Sequence, residues 1–542
     1  MNPGRWSKHD LAAGVLLVAF AGVVLLENQH RSPTSDEPAH IASGVAYVST
    51  GNFRGNPEHP PLVKELAGLL VRWSGVPLPA DPQIRNFLDG KFPEGEHPEA
   101  RVGTLILQSD PGRILSWARL PMVGLACLLG LCTYLLGSRL LGENAALAGL
   151  ALLVMDPTIV GHSGLVTMDI PIAAFGMLTL LALHGYLRKP STPLLIACGV
   201  SLGLAMAAKF SALFLLPCLG GILWVGSAEK LVGLAKPREL LMAAVKPSAL
   251  KFLAILVIGL VVTQCLYLSV DPLRYYKDVR TMLSFHERDS PAFLMGELQR
   301  RFVGYFAFAY LLKEPITIVL AALAGAVTVF TAKERSTRLL FLVFPPMVWV
   351  LAHTFLADDL GIRYILFALP FGCLLGGSVL AELWAERLLW KRAVAVIGFG
   401  WCLVALVGVF PDHLSYFNEV ACVFADPSKL GWDGGSKCGA EWLDDSNVDW
   451  GQSLPALKAW IDKNAPNRKV HILTLFKFPP SAYGIDAYES TPNDLTEHPP
   501  GLYVVSAHLW ASLHLVREDE NWMRTFKPIA LVGHSLYIYD LP

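Results

Sequence analysis

The chain predicts an α-helical protein that crosses a membrane many times and carries a small α/β domain at its C-terminal end. Three observations carry that expectation. The 542 residues are 53% hydrophobic and only 16% charged, where a soluble chain is about one quarter charged, and the mean hydropathy is +0.45. Apolar runs long enough for a hydrocarbon core of about 30 Å, roughly 20 helical residues, recur up to Pro411. After Pro411 the texture turns to that of a soluble domain, with mixed periodicity.

About eleven spans are expected on this hydropathy reading. They are Leu11 to Leu26, Ile114 to Leu136, Ala145 to Ile159, Asp169 to Leu187, Leu194 to Ala208, Phe210 to Val225, Phe252 to Val270, Ile316 to Phe330, Leu339 to Leu356, Tyr364 to Leu380 and Ala393 to Phe410. The first span resembles a signal peptide, since Arg5 and Lys8 precede Ala19-Phe20-Ala21, but its apolar run continues through Leu26, so an uncleaved helix is expected.

Orientation follows from short loops rich in Lys and Arg, which stay on the cytoplasmic side during insertion. Arg5 to His9, Arg188-Lys189, the stretch with Lys230, Lys236, Arg238 and Lys246, Lys333 to Arg338, and Arg387 to Arg392 then share the N-terminal side. An odd number of spans places the long loop 27–113, the segment Asp271 to Arg301 and everything after Pro411 on the other side. The expected division is a transmembrane domain over 1–411 and an extracytoplasmic α/β domain over 412–542. Within the latter, Ser453 to Asn464 reads as a helix, and Lys469 to Phe476, Gly501 to Ala507 and Ser535 to Tyr539 read as strands.

A net charge of −1 and a pI near 6.9 exclude the basic face that a nucleic-acid partner requires. Of nine cysteines, Cys422 and Cys438 fall in the outer C-terminal region; they either close a disulfide loop in an oxidising compartment or remain free thiols. Most of the others, such as Cys127, Cys132, Cys198 and Cys218, lie in apolar runs, where a thiol packs as a small hydrophobe. No Cys or His spacing suggests a zinc site.

The chemistry-bearing residues gather at the expected outer face. Asp36 and Glu37 lie in Thr34-Ser35-Asp36-Glu37-Pro38, which reads as a helix start with Ser35 or Asp36 as N-cap. A carboxylate held there is also positioned to accept a proton. Further along the same loop, Arg54, His59 and Lys64 surround a helix that begins after His59-Pro60-Pro61; they read either as a rigid turn with a solvated lysine or as donors to an anion. Lys313 reads as a phosphate ligand or as a lysine snorkelling to the headgroups. Asp169 reads as a helix cap, or as a carboxylate orienting an acceptor or holding a divalent cation. Lys209, between two apolar runs, reads as a surface turn residue, and Asp445 to Gln452 as a capped turn or a set of sugar-hydroxyl ligands.

These motifs resemble a family. The acidic pair followed by His59-Pro60-Pro61-Leu62 and Lys64, then Gly164 to Asp169, Ala207-Ala208-Lys209-Phe210-Ser211, Tyr305-Phe306 through Lys313-Glu314-Pro315, and Gly361-Ile362-Arg363-Tyr364 are similar in order to motifs of the C-type polyprenyl-phosphate-sugar-dependent glycosyltransferases. That group includes protein O-mannosyltransferases and the aminoarabinose transferase of lipid A. Tyr416-Phe417-Asn418-Glu419 and Asp445 to Gln452 resemble signatures of its bacterial phospholipid-carrier-dependent branch, although Ala421 to Lys437 is longer than the short Gly-Gly-Pro turn expected there. The resemblance implies an inverting transfer from a polyprenyl-phosphate-linked sugar to a hydroxyl of a protein or envelope glycolipid, at the outer face of a bacterial inner membrane. Asp36 is expected as the base with Glu37 in support. The departing phosphate is expected at Lys64, Lys313 and Arg363, with Arg54 and His59 nearby. A cofactor is not implied beyond a divalent cation at Asp169. A flippase for the same lipid-linked sugar is the alternative, but charged residues near a midplane and inverted repeats are not seen.

Overall fold

The computed structural model describes residues 7–229, 237–268, 271–285, 291–331, 335–474, 478–488, 498–516 and 522–542. Arg5, Lys230, Lys236 and Lys333 of the orientation argument, Val270 of one expected span, and the end of the strand expected to reach Phe476 lie outside the described residues.

Over their described residues, the eleven apolar runs fold mainly as helix. Among the described residues, eight stretches are long and apolar enough to cross a membrane: α1 (Lys8–Asn28), α6 (Pro111–Leu141), α9 (Asp169–Arg188), a 3-10 turn leading into α11 (Leu215–Glu229), α12 (Pro237–Leu266), a π turn leading into α17 (Phe344–Leu356), a 3-10 turn at Ile362–Ala368 leading into α18 (Leu369–Ala385), and α19 (Leu389–Gly408). The run Ala145 to Ile159 is a bent pair, α7 (Glu143–Met155) and α8 (Pro157–Ser163), meeting at 65°. Pro157 has no N–H to continue α7, and Asp156 caps the new helix by accepting from the N–H groups of Thr158 and Ile159. Two shorter apolar helices, α10 (Thr192–Ala208) and α15 (Ile316–Thr331), complete the set. Length and composition therefore support eight or nine crossings, and the two shorter helices fall below that threshold.

The loop 27–113 is itself folded, into α2 (Glu37–Thr50), α3 (Leu62–Trp73), α4 (Pro82–Leu88) and α5 (Glu99–Ser109). Glycines set how closely these helices approach. A Cβ on Gly44 would lie 1.9 Å from the Lys64 carbonyl oxygen, and one on Gly103 would lie 1.8 Å from that of Pro38. With no side chain at those points, α3 and α5 clamp the start of α2. The segment after α12 holds α13 (Arg274–Phe285) and a hairpin of β1 (Ala292–Leu294) and β2 (Glu297–Gln299), followed by α14 (Tyr305–Lys313) and the short α16 (Arg335–Arg338) after α15.

Beyond α19 come α20 (Val420–Ala425) and α21 (Leu454–Asn464), then β3 (Val470–Leu473), β4 (Ala487–Tyr488) and β5 (Gly501–Ser506). The short α22 (Ala507–Trp510) and α23 (Trp522–Thr525) precede β6 (Ala530–Val532) and β7 (Leu536–Leu541). The sheet runs β4-β3-β5-β7-β6, with β3 parallel to β4 and β5, and β7 antiparallel to its neighbours. The three expected strands are β3, β5 and β7, and the expected helix is α21. β4 and β6 were not anticipated, because strands of two or three residues leave little periodicity to read. Leu457, Ile461, Val470, Leu502, Val504 and Ile538 form one core on the α21 face of the sheet.

The stretch 412–452 is pinned to the helical part. Asn418 donates through Nδ2 to the carbonyls of Leu311 and Glu314, and Ser415 Oγ donates to Val448 O.

Candidate active site

Asp36 occupies the N-cap position of α2, yet its side chain makes no capping hydrogen bond. Its Oδ2 instead accepts from Arg363 Nη1 at 3.1 Å. Arg363 sits in the 3-10 turn ahead of α18; its Nε donates to Leu360 O, and its guanidinium lies 4.4 Å from the Trp450 ring centre and 5.4 Å from that of Tyr364. Arginine suits this place, because a planar cation stacks on a ring and still presents several N–H groups at its edge.

The tail motif brings the two residues together. Ser35 N–H, next to Asp36, donates to Trp450 O, and Ile362 N–H, next to Arg363, donates to Asn447 Oδ1. Asn447 Nδ2 donates in turn to the Tyr305 hydroxyl and Asp444 O. Asn447 is thus occupied by the scaffold and is not a ligand for sugar hydroxyls.

Glu37 points the other way. It is fully buried, taking Arg119 Nε and Nη2 at 2.8 and 2.6 Å and the backbone N–H groups of Val166 and Thr34 at 3.0 and 2.9 Å. Burial alone would raise its pKa, but the charge and hydrogen bonds of Arg119 hold it below the usual carboxylate value. Both oxygens are engaged, so the structure gives Glu37 an anchoring part and no access to substrate. Arg119 lies within the long apolar run of α6, where a lone arginine is itself the signal of a buried partner.

The expected phosphate ligands divide. Lys64 is fully buried, donating to the carbonyls of Asn56 and His59, both at 2.7 Å. Burial pushes its ammonium down to about 7. Arg54 donates to the carbonyls of Gly90 and Phe92 and stacks on the Phe92 ring. Both close their own loop. Lys313 is 1% exposed, donates to the carbonyls of Leu414 and Asn447, and lies over the Phe417 ring. It neither snorkels nor is open to a phosphate; it fastens 412–452 to the end of α14. The physical reason is shared: a buried ammonium takes whichever carbonyls the fold leaves unpaired nearby.

His59 stays near the site, its ring 5.3 Å from that of His40, which meets Val166 O through Nδ1. Burial, then the charge of His40, holds His59 well below its ordinary value, so it is neutral near pH 7.

Asp169 does not cap α9, because the N-cap is Met168 and Asp169 stands inside the first turn. Its Oδ1 pairs with Lys209 Nζ at 2.6 Å, and Lys209 lies 4.5 Å from the Tyr364 ring centre. Lys209 is therefore no surface turn residue: 13% of its side chain is exposed, and it shares the Tyr364 ring with Arg363 as a neighbour. Its position between two apolar runs was the available signal. Among the described residues no group of three or more His, Cys, Asp or Glu side chains converges, and the partner of Asp169 is a lysine.

A cleft of about 450 Å³ opens beside this centre, between α5 and the α/β unit, with Thr34, Ser35, Pro38, Arg101, Asp449 and Phe478 among its walls. Asp449 is buried, and that burial pushes its carboxyl up to about 7. Cys422 and Cys438 are joined as a disulfide.

Residues 112–246, from α6 into α12, match the dolichyl-phosphate-mannose-protein mannosyltransferase family. The match spans Asp169 and Lys209 of the centre, and the resemblance seen in the sequence motifs is borne out there; the protein is a multi-pass membrane glycosyltransferase. No curated protein matches the chain by sequence.

Among solved structures, this chain is similar to ArnT from Cupriavidus metallidurans bound to undecaprenyl phosphate, at 15% identity over 97% of each chain with a TM-score of 0.44. It is also similar to the oligosaccharyltransferase of Archaeoglobus fulgidus in the apo form, at 13% identity over 89% of this chain and 62% of that one, TM-score 0.45. The S. cerevisiae protein O-mannosyltransferase Pmt1-Pmt2 complex bound to the sugar donor matches at 19% identity over 52% of this chain and 35% of that one, TM-score 0.35.

Proposed function

We propose that this glycosyltransferase moves a sugar from a polyprenyl-phosphate donor to an acceptor hydroxyl at the outer face of the membrane, with inversion, and that Asp36 is the general base. The observation that carries this reading is the Asp36–Arg363 contact, because it sets a proton acceptor beside a cation for the leaving group. As the acceptor oxygen bonds to the anomeric carbon, its proton passes to Asp36, while the bond from that carbon to the phosphate oxygen breaks and leaves its electron pair on the phosphate.

Arg363 and Lys209 are the cations that receive that charge. A guanidinium has five N–H donors, and the contacts to Leu360 and Asp36 use one on Nε and one on Nη1. The rest of the fork is available to a phosphate, and a bidentate phosphate contact would draw Arg363 from Asp36 and raise the basicity of the carboxylate as the donor binds. Lys209, held by Asp169, adds charge from beside Tyr364. Lys64, Lys313 and Arg54 have no part in this proposal, since carbonyls already hold them. The cleft walled by Thr34 and Ser35, the two residues before Asp36, is assigned to the acceptor.

The test is complementation of a deletion strain, followed by mass spectrometry of envelope glycans and glycoproteins. One sugar should be missing in the deletion, return with the wild-type chain, and stay missing with Asp36→Asn at normal protein level. Return of the sugar with Asp36→Asn overturns the base; no missing sugar overturns the transfer.

A further inference from the structure

The loop closed by Cys422 and Cys438 exposes more apolar surface than its own packing explains. Val423 is 49% exposed, Phe424 75%, Leu430 44% and Trp432 79%. This is not slackness. The disulfide closes the loop, Trp442 Nε1 donates to Ala421 O at 2.8 Å, and Gly435 N–H donates to Phe417 O at 2.9 Å. A loop held at three points presents its side chains in fixed directions, and rigid exposure of large apolar groups marks a contact surface.

Position names the partner. The loop lies along the end of α19: Trp401 Nε1 donates to Glu419 Oε1 at 3.0 Å, and Gly408 is packed so tightly that a Cβ there would sit 1.8 Å from Trp432 O. From Trp401 to Gly408 an α-helix rises about 10 Å. The loop therefore covers the final turns of an apolar helix that is long enough to cross a membrane. On that stretch α19 turns Trp401, Leu403 and Val407 outward, 42%, 51% and 64% exposed. The exposed residues of the loop continue this apolar surface. Asp426 caps the turn that follows α20 by accepting from Ser428 N–H, Lys429 pairs with Glu441, and Asp433 pairs with Lys437 and His534, so these charges have partners in the protein.

We infer that the disulfide loop 420–438 is a membrane-interface anchor, seating Val423, Phe424, Leu430 and Trp432 at the boundary between headgroups and acyl chains beside the end of α19. Apolar and aromatic side chains settle about 5–10 Å into that boundary, and Trp is enriched there. The occupant is the lipid itself, because the surface is continuous with the lipid-facing side of a spanning helix. Through Asn418, Phe417 and Gly435 the loop also fixes the height of the 412–452 scaffold over the bilayer. The inference does not rest on the proposed reaction.

The test reconstitutes the full chain in nanodiscs of palmitoyl-oleoyl phosphatidylcholine containing a phosphatidylcholine with an acyl-chain diazirine. After illumination, adducts are mapped by mass spectrometry. Adducts are expected on the disulfide-linked 420–438 peptides as well as on α19, and adducts at the loop should fall to background in Phe424→Ser/Trp432→Ser, with α19 adducts unchanged. Labelled α19 with an unlabelled wild-type loop overturns the anchor. Chain-to-chain adducts at Phe424 and Trp432 also overturn it, in favour of a second copy as occupant.

Discussion

Asp36 Oδ2 and Arg363 Nη1 are 327 residues apart in sequence and 3.1 Å apart in space. Neither element positions its residue alone; Trp450 and Asn447 of the tail hold the backbone next to each, so this contact reports whether three distant parts of the chain are docked.

Asp36 is one third exposed and is not buried against an unpaired charge. Asp36→Asn should therefore leave expression and thermal stability unchanged while lowering transfer by about 10²–10⁴-fold, the usual size of a general-base contribution. Turnover with donor and acceptor both saturating checks it.

Arg363→Lys keeps a positive charge but loses the fork and the stack on Trp450. Lower turnover by about 10²-fold is expected, with a higher KM for donor, since Lys is a poor substitute at a bidentate, stacked site. Lys209→Met should act in the same direction. An unchanged donor KM in both would remove the phosphate assignment.

Glu37→Gln leaves Arg119 buried without its counter-charge, a loss of about 3–5 kcal/mol in a buried pair. Glu37→Leu combined with Arg119→Met should cost less than either single change, which a double-mutant comparison of thermal stability measures.

Lys313→Met should release the tail from α14 and lower protein abundance, leaving the donor KM of the surviving enzyme unchanged. A raised donor KM at normal abundance would restore Lys313 to the phosphate site.

His534 bridges two carboxylates, Nδ1 to Asp412 and Nε2 to Asp433, each at 2.9 Å. Burial works against the charged ring, but the two aspartates raise its pKa from 6.5 to about 9. A raised folded-state pKa contributes stability that is complete below 6.5 and is lost as pH rises through about 9. Thermal unfolding should show that decline in the wild type and a flatter profile over the same window in His534→Gln.

Much of the architecture was legible because its signals are local. Each apolar run is its own evidence for a helix, and β3, β5, β7 and α21 each declare a period within a few residues. β4 and β6 are too short to do so. Asp36 was singled out as a carboxylate at a helix start in the first loop, Asp169 as one entering an apolar run and Arg363 by its motif, and the structure pairs Asp36 with Arg363 and Asp169 with Lys209. The same reasoning placed Lys64 and Lys313 there too. The structure sets both against backbone carbonyls, since charge type and sequence position do not tell whether an ammonium meets a ligand or a backbone carbonyl.

The sequence by itself determined the apolar helices, the α/β tail and the acidic residue at the first helix of the loop 27–113, since burial of apolar length and periodicity need no partner. Only the tertiary structure decided which cation faces Asp36, that Glu37 belongs to Arg119, and that Lys209 pairs with Asp169. Those are contacts between residues tens to hundreds of positions apart. They are set by how the helices and the tail pack against one another, which is not written in any local stretch of chain.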